Sequence, residues 1–226
     1  MSDLGRGSTR LRPGQVLGCR AVVFDFGYTL VNEDRVWGAI AGQYGWSPSV
    51  FFSTLGAVIE RRGRHRDVFE LLGAAQPYEP VQFEPGDFYD DALPAIRAVK
   101  RKGWVVGIAG NMRTEIERFL SRHVDVDFIA SSERWKVEKP DNEFFAKIAV
   151  AAEASPEDVV YIGDRIDNDI VPAARAGMIA VHLRRGPWAA IQQSWPEARA
   201  AATTITELNA IPGMGELRSR WLSRSD

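Results

Sequence analysis

The sequence predicts an α/β fold: an open parallel sheet of five strands, with an all-helical segment inserted after the first strand. Three observations carry this. Five short apolar segments, Ala21–Phe26, Trp104–Ala109, Val126–Ala130, Val159–Ile162 and Ile179–Leu183, are nearly continuous in hydrophobicity. Strands buried on both faces read that way, whereas a half-exposed strand alternates. Helical patterns recur between the later segments, and alternation of the two element types implies a parallel sheet with its ligand site at the carboxyl ends of the strands. Finally, no strand pattern interrupts the stretch from about Val31 to Glu84.

The elements follow in order. The first strand ends at Asp25, ahead of Phe26-Gly27-Tyr28-Thr29-Leu30. Helical stretches are expected over Arg35–Tyr44, Ser49–Arg62 and Arg66–Leu72, and the link Gln76–Gly86, with three prolines, returns the chain to the sheet. A helix over Tyr89–Lys102 places Leu93, Ile96 and Val99 on one face and stops at Gly103. Pro140-Asp141 opens a helix running through Ala152, with Phe144, Phe145, Ile148 and Ala149 at helical spacing. A last helix, Asp169–Ala176, is closed by Gly177. The expected organisation is a sheet domain over 16–30 and 86–212, a helical cap over 31–85, and flexible tails at 1–15 and 213–226.

Composition narrows the function classes. With 226 residues and a net charge of −2, the chain carries no general electrostatic argument for nucleic-acid or membrane binding. No apolar run reaches membrane-spanning length, and the N-terminus lacks the hydrophobic stretch of a signal peptide. Cys19 is the single cysteine, which rules out an internal disulfide and fits a reducing compartment. A cytoplasmic protein, monomeric or homodimeric, is expected.

Chemistry is concentrated in the residues that end the strands: Asp25 after the first, Gly110-Asn111 after the second, Lys139 beyond the third, and Asp164 through Asp169 after the fourth. Parallel-sheet geometry brings Asp25, Asn111, Lys139, Asp164 and Asp169 to one crevice. Carboxylates with a single lysine make an oxygen-only site, suited to magnesium rather than zinc or copper. The lysine would offset the charge of a bound phosphoryl group. Each residue alone has an ordinary structural explanation: a turn former in Asp25, a helix-start residue in Lys139, helix-dipole partners in Asp167 and Asp169. Their joint order and spacing favour a site.

These stretches, Val22-Val23-Phe24-Asp25 through Leu30, Ile108-Ala109-Gly110-Asn111, Lys139-Pro140-Asp141, and Gly163-Asp164 through Asp169 continuing to Ala176-Gly177-Met178, resemble the haloacid dehalogenase-like superfamily over roughly residues 20–210. The resemblance implies a Rossmann-like core with a helical cap after the first motif, as in the phosphoglycolate-phosphatase-like branch. It implies that Asp25 is a nucleophile forming an aspartyl-phosphate and that Lys139 pairs with Asp25 and the phosphoryl oxygens. Magnesium would be held by Asp25, the Gly27 carbonyl and Asp164, with Asp169 nearby. Thr29 would brace the first loop, and Gly27, Thr29, Gly110 and Asn111 would surround the phosphoryl group. Two positions depart from the pattern. Gly27 stands where the family's phosphatases usually carry a second Asp as general acid, and Gly110 stands where they carry Ser or Thr.

The expected function is a magnesium-dependent phosphatase for a small phosphorylated metabolite. Loss of the general acid predicts a slow one, since such assistance contributes roughly 10²–10⁴-fold, and Gly27→Asp is expected to restore rate if the side chain fits. The alternatives are a catalytically impaired binding or regulatory module and, against the grain of Asp164 and Asp169, a metal-independent dehalogenase. Arg61, Arg62, Arg64, His65 and Arg66 form a basic cluster, either a solvated turn or a reader of an anionic substrate group. His123 and His182 are read as structural, and the tryptophans as packing residues, with Trp135 placed to border the crevice.

Overall fold

A computed structural model describes residues 19–74 and 77–211; the tails assigned to 1–15 and 213–226 lie outside them. The sheet has six strands rather than five: β1 (Ala21–Phe24), β2 (Val105–Gly110), β3 (Phe128–Ser131), β4 (Val159–Gly163), β5 (Ile179–Leu183) and β6 (Thr203–Ile205). Their order is β3-β2-β1-β4-β5-β6, with every neighbour parallel. The strand missing from the sequence reading, β6, is three residues long with only Ile205 buried, so it carries no apolar run.

In β1, side chains alternate between two cores. Val22 and Phe24 meet Ile96 and Val99 of α4 (Ala92–Lys100) and Leu120 of α5 (Thr114–His123). Ala21 and Val23 meet Phe144, Phe145 and Ile148 of α7 (Asn142–Ala151) and Ala173 of α8 (Val171–Arg175). Both faces are covered, which is why the strands read as unbroken apolar runs. Asp141 caps α7 by accepting from the Glu143 amide at 2.8 Å, and Gly177, at φ +85°, lets the chain leave α8 in a left-handed turn. The helix expected from Asp169 opens instead as a wide π-type turn over Ile166–Ile170 before α8 begins. Helix α5 carries Ile116, Phe119 and Leu120 at i, i+3, i+4 spacing, and the short α6 (Ser132–Trp135) follows β3 directly.

Between β1 and α4 lie α1 (Asp34–Gln43), α2 (Pro48–Glu60) and α3 (Asp67–Leu71), where the sequence predicts helices. Ser47 caps α2 and Pro48 pre-sets its first turn. These helices bury Phe51, Leu55, Val58, Ile59 and Val68 together with Tyr28 and with Trp188 of α9 (Gly186–Gln192). The Arg35 guanidinium spans Asp87 at 2.8 and 2.6 Å and the Gln82 carbonyl at 2.7 Å, tying the start of the insertion to its return. Among the described residues no helix is long and apolar enough to cross a membrane.

Candidate active site

The strand order reverses at β1 and β4, and a crevice at such a switch point is where open α/β sheets bind ligands. Asp25 leaves β1 here, its amide donating to the Ile162 carbonyl at 2.8 Å. Lys139, almost wholly buried, donates to Asp25 Oδ1 at 2.6 Å, to Asp169 Oδ1 at 2.5 Å and to the Tyr161 hydroxyl at 3.0 Å. That hydroxyl in turn donates to the Ala109 carbonyl at 3.0 Å. Asn111 clamps the lysine's backbone: its Nδ2 donates to the Lys139 carbonyl at 2.9 Å, and its Oδ1 accepts from the Lys139 amide at 2.7 Å. Burial opposes the lysine's charge, but Asp169 and Asp25 outweigh it and hold the ammonium well above its ordinary pKa. Asp25 answers differently. Burial raises its carboxyl to about 6, Lys139 pulls it back and Asp169 pushes it further up.

Asp25, Asp164 and Asp169 each bring a carboxylate oxygen within 4.8 Å of the others. Both oxygens of Asp169 are engaged, one by Lys139 and the other by the Arg165 amide at 3.0 Å. Asp164 Oδ2, by contrast, is buried without a hydrogen-bond partner. Burial, compounded by Asp169 and Asp25, drives the Asp164 carboxyl well above its ordinary pKa. An unpartnered oxygen in a crowd of carboxylates fits a hard divalent cation, which would relieve that crowding. The backbone carbonyl of Asp164 accepts from His182 Nε2 at 3.1 Å, which gives His182 the structural role expected of it.

Two glycines are dictated by close approach. A Cβ on Gly110 would lie 2.6 Å from Asp25 Oδ1, so the aspartate occupies the space that a Ser or Thr would need. A Cβ on Gly163 would lie 2.4 Å from the Asp169 carboxyl carbon. Thr29 is fully buried, and its hydroxyl has no hydrogen-bond partner. Its carbonyl accepts from Arg185 at 3.1 Å, and it lies outside the cleft lining. Tyr28 holds φ +47°, a strained backbone for a bulky residue, with its hydroxyl on Asp34 at 3.0 Å.

Above Asp25, Asn111, Lys139 and Asp164 opens a cleft of about 520 Å³. Its far wall comes from the helical insertion: Glu33, Trp37, His65, Arg66, Phe69 and Tyr78, joined by Arg165 and Trp188. Most of this wall carries no signal in the sequence, because single aromatic residues at helical spacing look like core. Glu33 is half-buried, one side facing the cleft. Burial raises its carboxyl to about 7; the Trp37 indole N–H opposes the rise without reaching hydrogen-bond geometry, and Asp25 adds to it.

The basic cluster does not act as a unit. Arg62 pairs with Glu197 at 3.0 and 3.2 Å and lies over the Trp195 ring, and Arg64 pairs with Asp67. Only His65 and Arg66 reach the cleft. Trp135 packs edge-on against Phe144 instead of bordering the crevice.

His65 is no cation either. Its ring centre lies 3.9 Å from that of Trp37, and burial, with the charge of Arg165, lowers its pKa to about 3. The folded protein therefore refuses a proton that the unfolded chain accepts below about pH 6.5. Stability from this group is complete above that pH and falls as pH drops toward 3. Urea unfolding at pH 7 and pH 5 should show wild type losing on the order of 1–2 kcal/mol more than His65→Phe. Equal losses would place the histidine in water.

A parallel sheet whose first strand ends in a buried aspartate, ion-paired with a lysine beside two further carboxylates, makes this an α/β protein with an acidic crevice at its switch point. The haloacid dehalogenase-like hydrolase profile matches residues 19–177, and the chain belongs to that family. The glyceraldehyde 3-phosphate phosphatase of Methanopyrus kandleri is 29% identical over 153 residues, which is 66% of this chain and 64% of that protein. The enzyme of the same name from Methanocaldococcus jannaschii is 38% identical over 104 residues, 44% of this chain and 46% of its own. The chain thus spans about half to two thirds of the length of these relatives. The crystal structure of β-phosphoglucomutase from Clostridium difficile shares the fold at TM-score 0.61 and 16% identity, over 91% of this chain and 99% of that one.

Proposed function

We propose that this protein is a magnesium-dependent phosphatase that cleaves a small phosphorylated metabolite through an aspartyl-phosphate on Asp25. The observation that carries this reading is the buried Asp25–Lys139–Asp169 bridge opening on a cleft, next to the unpartnered oxygen of Asp164. Asp25 and Asp164 would hold the cation, which supplies positive charge opposite the oxygens of the phosphoryl group. Lys139 orients the attacking carboxylate and offsets charge on the same oxygens, while Asp169 and Asn111 keep the lysine in place. Asp25 attacks phosphorus in line as the leaving oxygen departs on the opposite side.

In this reading residues 31–85 form a cap. They would enclose the organic part of the substrate between Trp37, Phe69 and Tyr78 and Trp188 of α9, keeping bulk water from the ester. The relatives' name makes glyceraldehyde 3-phosphate the first substrate to test. Phosphate release from it and from p-nitrophenyl phosphate should require magnesium and fall to background in EDTA. Calorimetric titration should show magnesium binding to wild type and weakened binding to Asp164→Asn. Full phosphate release in EDTA would overturn the magnesium requirement, and no release from either substrate under any condition would leave dehalogenation as the competing chemistry.

A further inference from the structure

Gly27 is the position at which this site lacks the second acid, yet the space beside it is not vacant. A Cβ built on Gly27 would lie 2.6 Å from Glu33 Oε2, 2.8 Å from its carboxyl carbon and 3.0 Å from Oε1. Contacts this short exclude any side chain at residue 27 while Glu33 keeps its place. Glu33 sits just ahead of α1 and reaches back across the loop Gly27–Asn32, so its carboxyl group stands where a side chain from residue 27 would begin. It faces the same cleft as Asp25, Lys139 and Asp164.

We propose that Glu33 is the general acid and base of this site, delivered from the helical insertion in place of the acid missing at Gly27. The inference rests on the phosphatase reading. When the Asp25 carboxylate bonds to phosphorus, the P–O bond to the leaving group breaks, and the departing oxygen takes its electron pair together with the proton of Glu33. In the second half, water attacks the aspartyl-phosphate and gives its proton to the Glu33 carboxylate. The P–O bond to Asp25 breaks, its electrons return to the carboxylate, and Glu33 ends protonated as it began. Among the described residues, the lysine and the other acids that line the cleft beside Asp25 are otherwise engaged or exposed. Lys139 is bound to two carboxylates, Asp164 belongs to the cation set, and Glu138 is exposed at the rim.

The glycine is then a consequence of the glutamate. This reverses the expectation for Gly27→Asp, whose Cβ alone would collide with Glu33, and replaces the expectation of a slow enzyme.

The test is a pair of substrates with different leaving groups. Glu33→Gln, which preserves shape, should lower kcat/KM for glyceraldehyde 3-phosphate by about 10²-fold or more, because an alkoxide must leave with its proton. With p-nitrophenyl phosphate, whose leaving group needs no proton, kcat/KM should fall less than tenfold. A burst of p-nitrophenol equal to the enzyme should precede slow turnover as phosphorylated Asp25 accumulates, visible by mass spectrometry. Gly27→Asp alone should lose activity, and the double variant Gly27→Asp/Glu33→Gly should exceed Glu33→Gly on the alkyl ester by tenfold or more. Equal losses on both substrates, or no gain in the double variant, would overturn the role of Glu33 alone. Wild-type protein that releases phosphate from neither substrate would overturn the phosphatase reading, and the role of Glu33 with it.

Discussion

Asp25→Asn is expected to abolish phosphate release from every substrate while making the protein harder to unfold in EDTA. An amide at this position offers no nucleophilic oxygen anion, so no aspartyl-phosphate forms. Removal of the nucleophile from a covalent hydrolase costs roughly 10⁶-fold in kcat, which leaves only background. The stability effect has the opposite sign. Burial holds the Asp25 carboxyl near 6, against 3.8 for an unperturbed group, so Lys139 does not fully compensate the buried charge. A carboxyl raised in the folded state costs stability as pH climbs through that interval, and at pH 7.5 the whole cost is present. Asparagine cannot ionise, and Lys139 keeps its bond to Asp169, so the variant should gain on the order of 1–3 kcal/mol in urea unfolding. Magnesium should narrow the difference by stabilising wild type more than the variant. A variant that is both inactive and less stable would mean that the lysine depends on Asp25 rather than on Asp169.

How much of this was legible beforehand differs sharply between the floor of the cleft and its walls. Asp25, Asn111 and Asp164 directly follow β1, β2 and β4, and a parallel sheet fixes where strand ends go, so the apolar runs place these three together. Lys139 and Asp169 lie several residues further on, and their order and spacing in the sequence were the signal for them. Strand β6 was not legible, because three residues with two threonines contain no periodicity to read. The cleft wall was illegible for a different reason. Glu33, Trp37, His65 and Tyr78 reach the site only through the packing of α1–α3 on Tyr28 and Trp188, and no local pattern encodes that docking. The basic run Arg61–Arg66 looked like a unit because its residues are neighbours in sequence, whereas the turn there sends Arg62 to Glu197 and His65 into the cleft. Gly110 and Gly27 had one sequence signature, an absent side chain. Their causes differ: an oxygen of Asp25 crowds the first, and a glutamate six residues on crowds the second.

Lys139→Met should silence the enzyme and also destabilise it, in a way that pH and magnesium can undo. The methionine keeps much of the buried stem but removes the cation that bonds Asp25 and Asp169. Three carboxylates with oxygens within 4.8 Å of one another would then share a buried space without a counter-charge. Stripping one partner from a buried ion pair typically costs about 3–5 kcal/mol, because the remaining charge stays desolvated. At pH 7.5 in EDTA the urea midpoint should fall accordingly. Without the lysine the acids bind protons more readily in the folded state than in the unfolded chain, so their cost lessens as pH falls, and at pH 5 much of the gap to wild type should close. Magnesium at neutral pH should close part of it by the same logic. The double variant Lys139→Met/Asp169→Asn should recover stability without recovering turnover, since Asp169 serves to hold the lysine and lies outside the cleft lining. If the gap were the same at pH 5 as at pH 7.5, lost packing rather than charge would account for it, and the bridge would not be the electrostatic centre of the site.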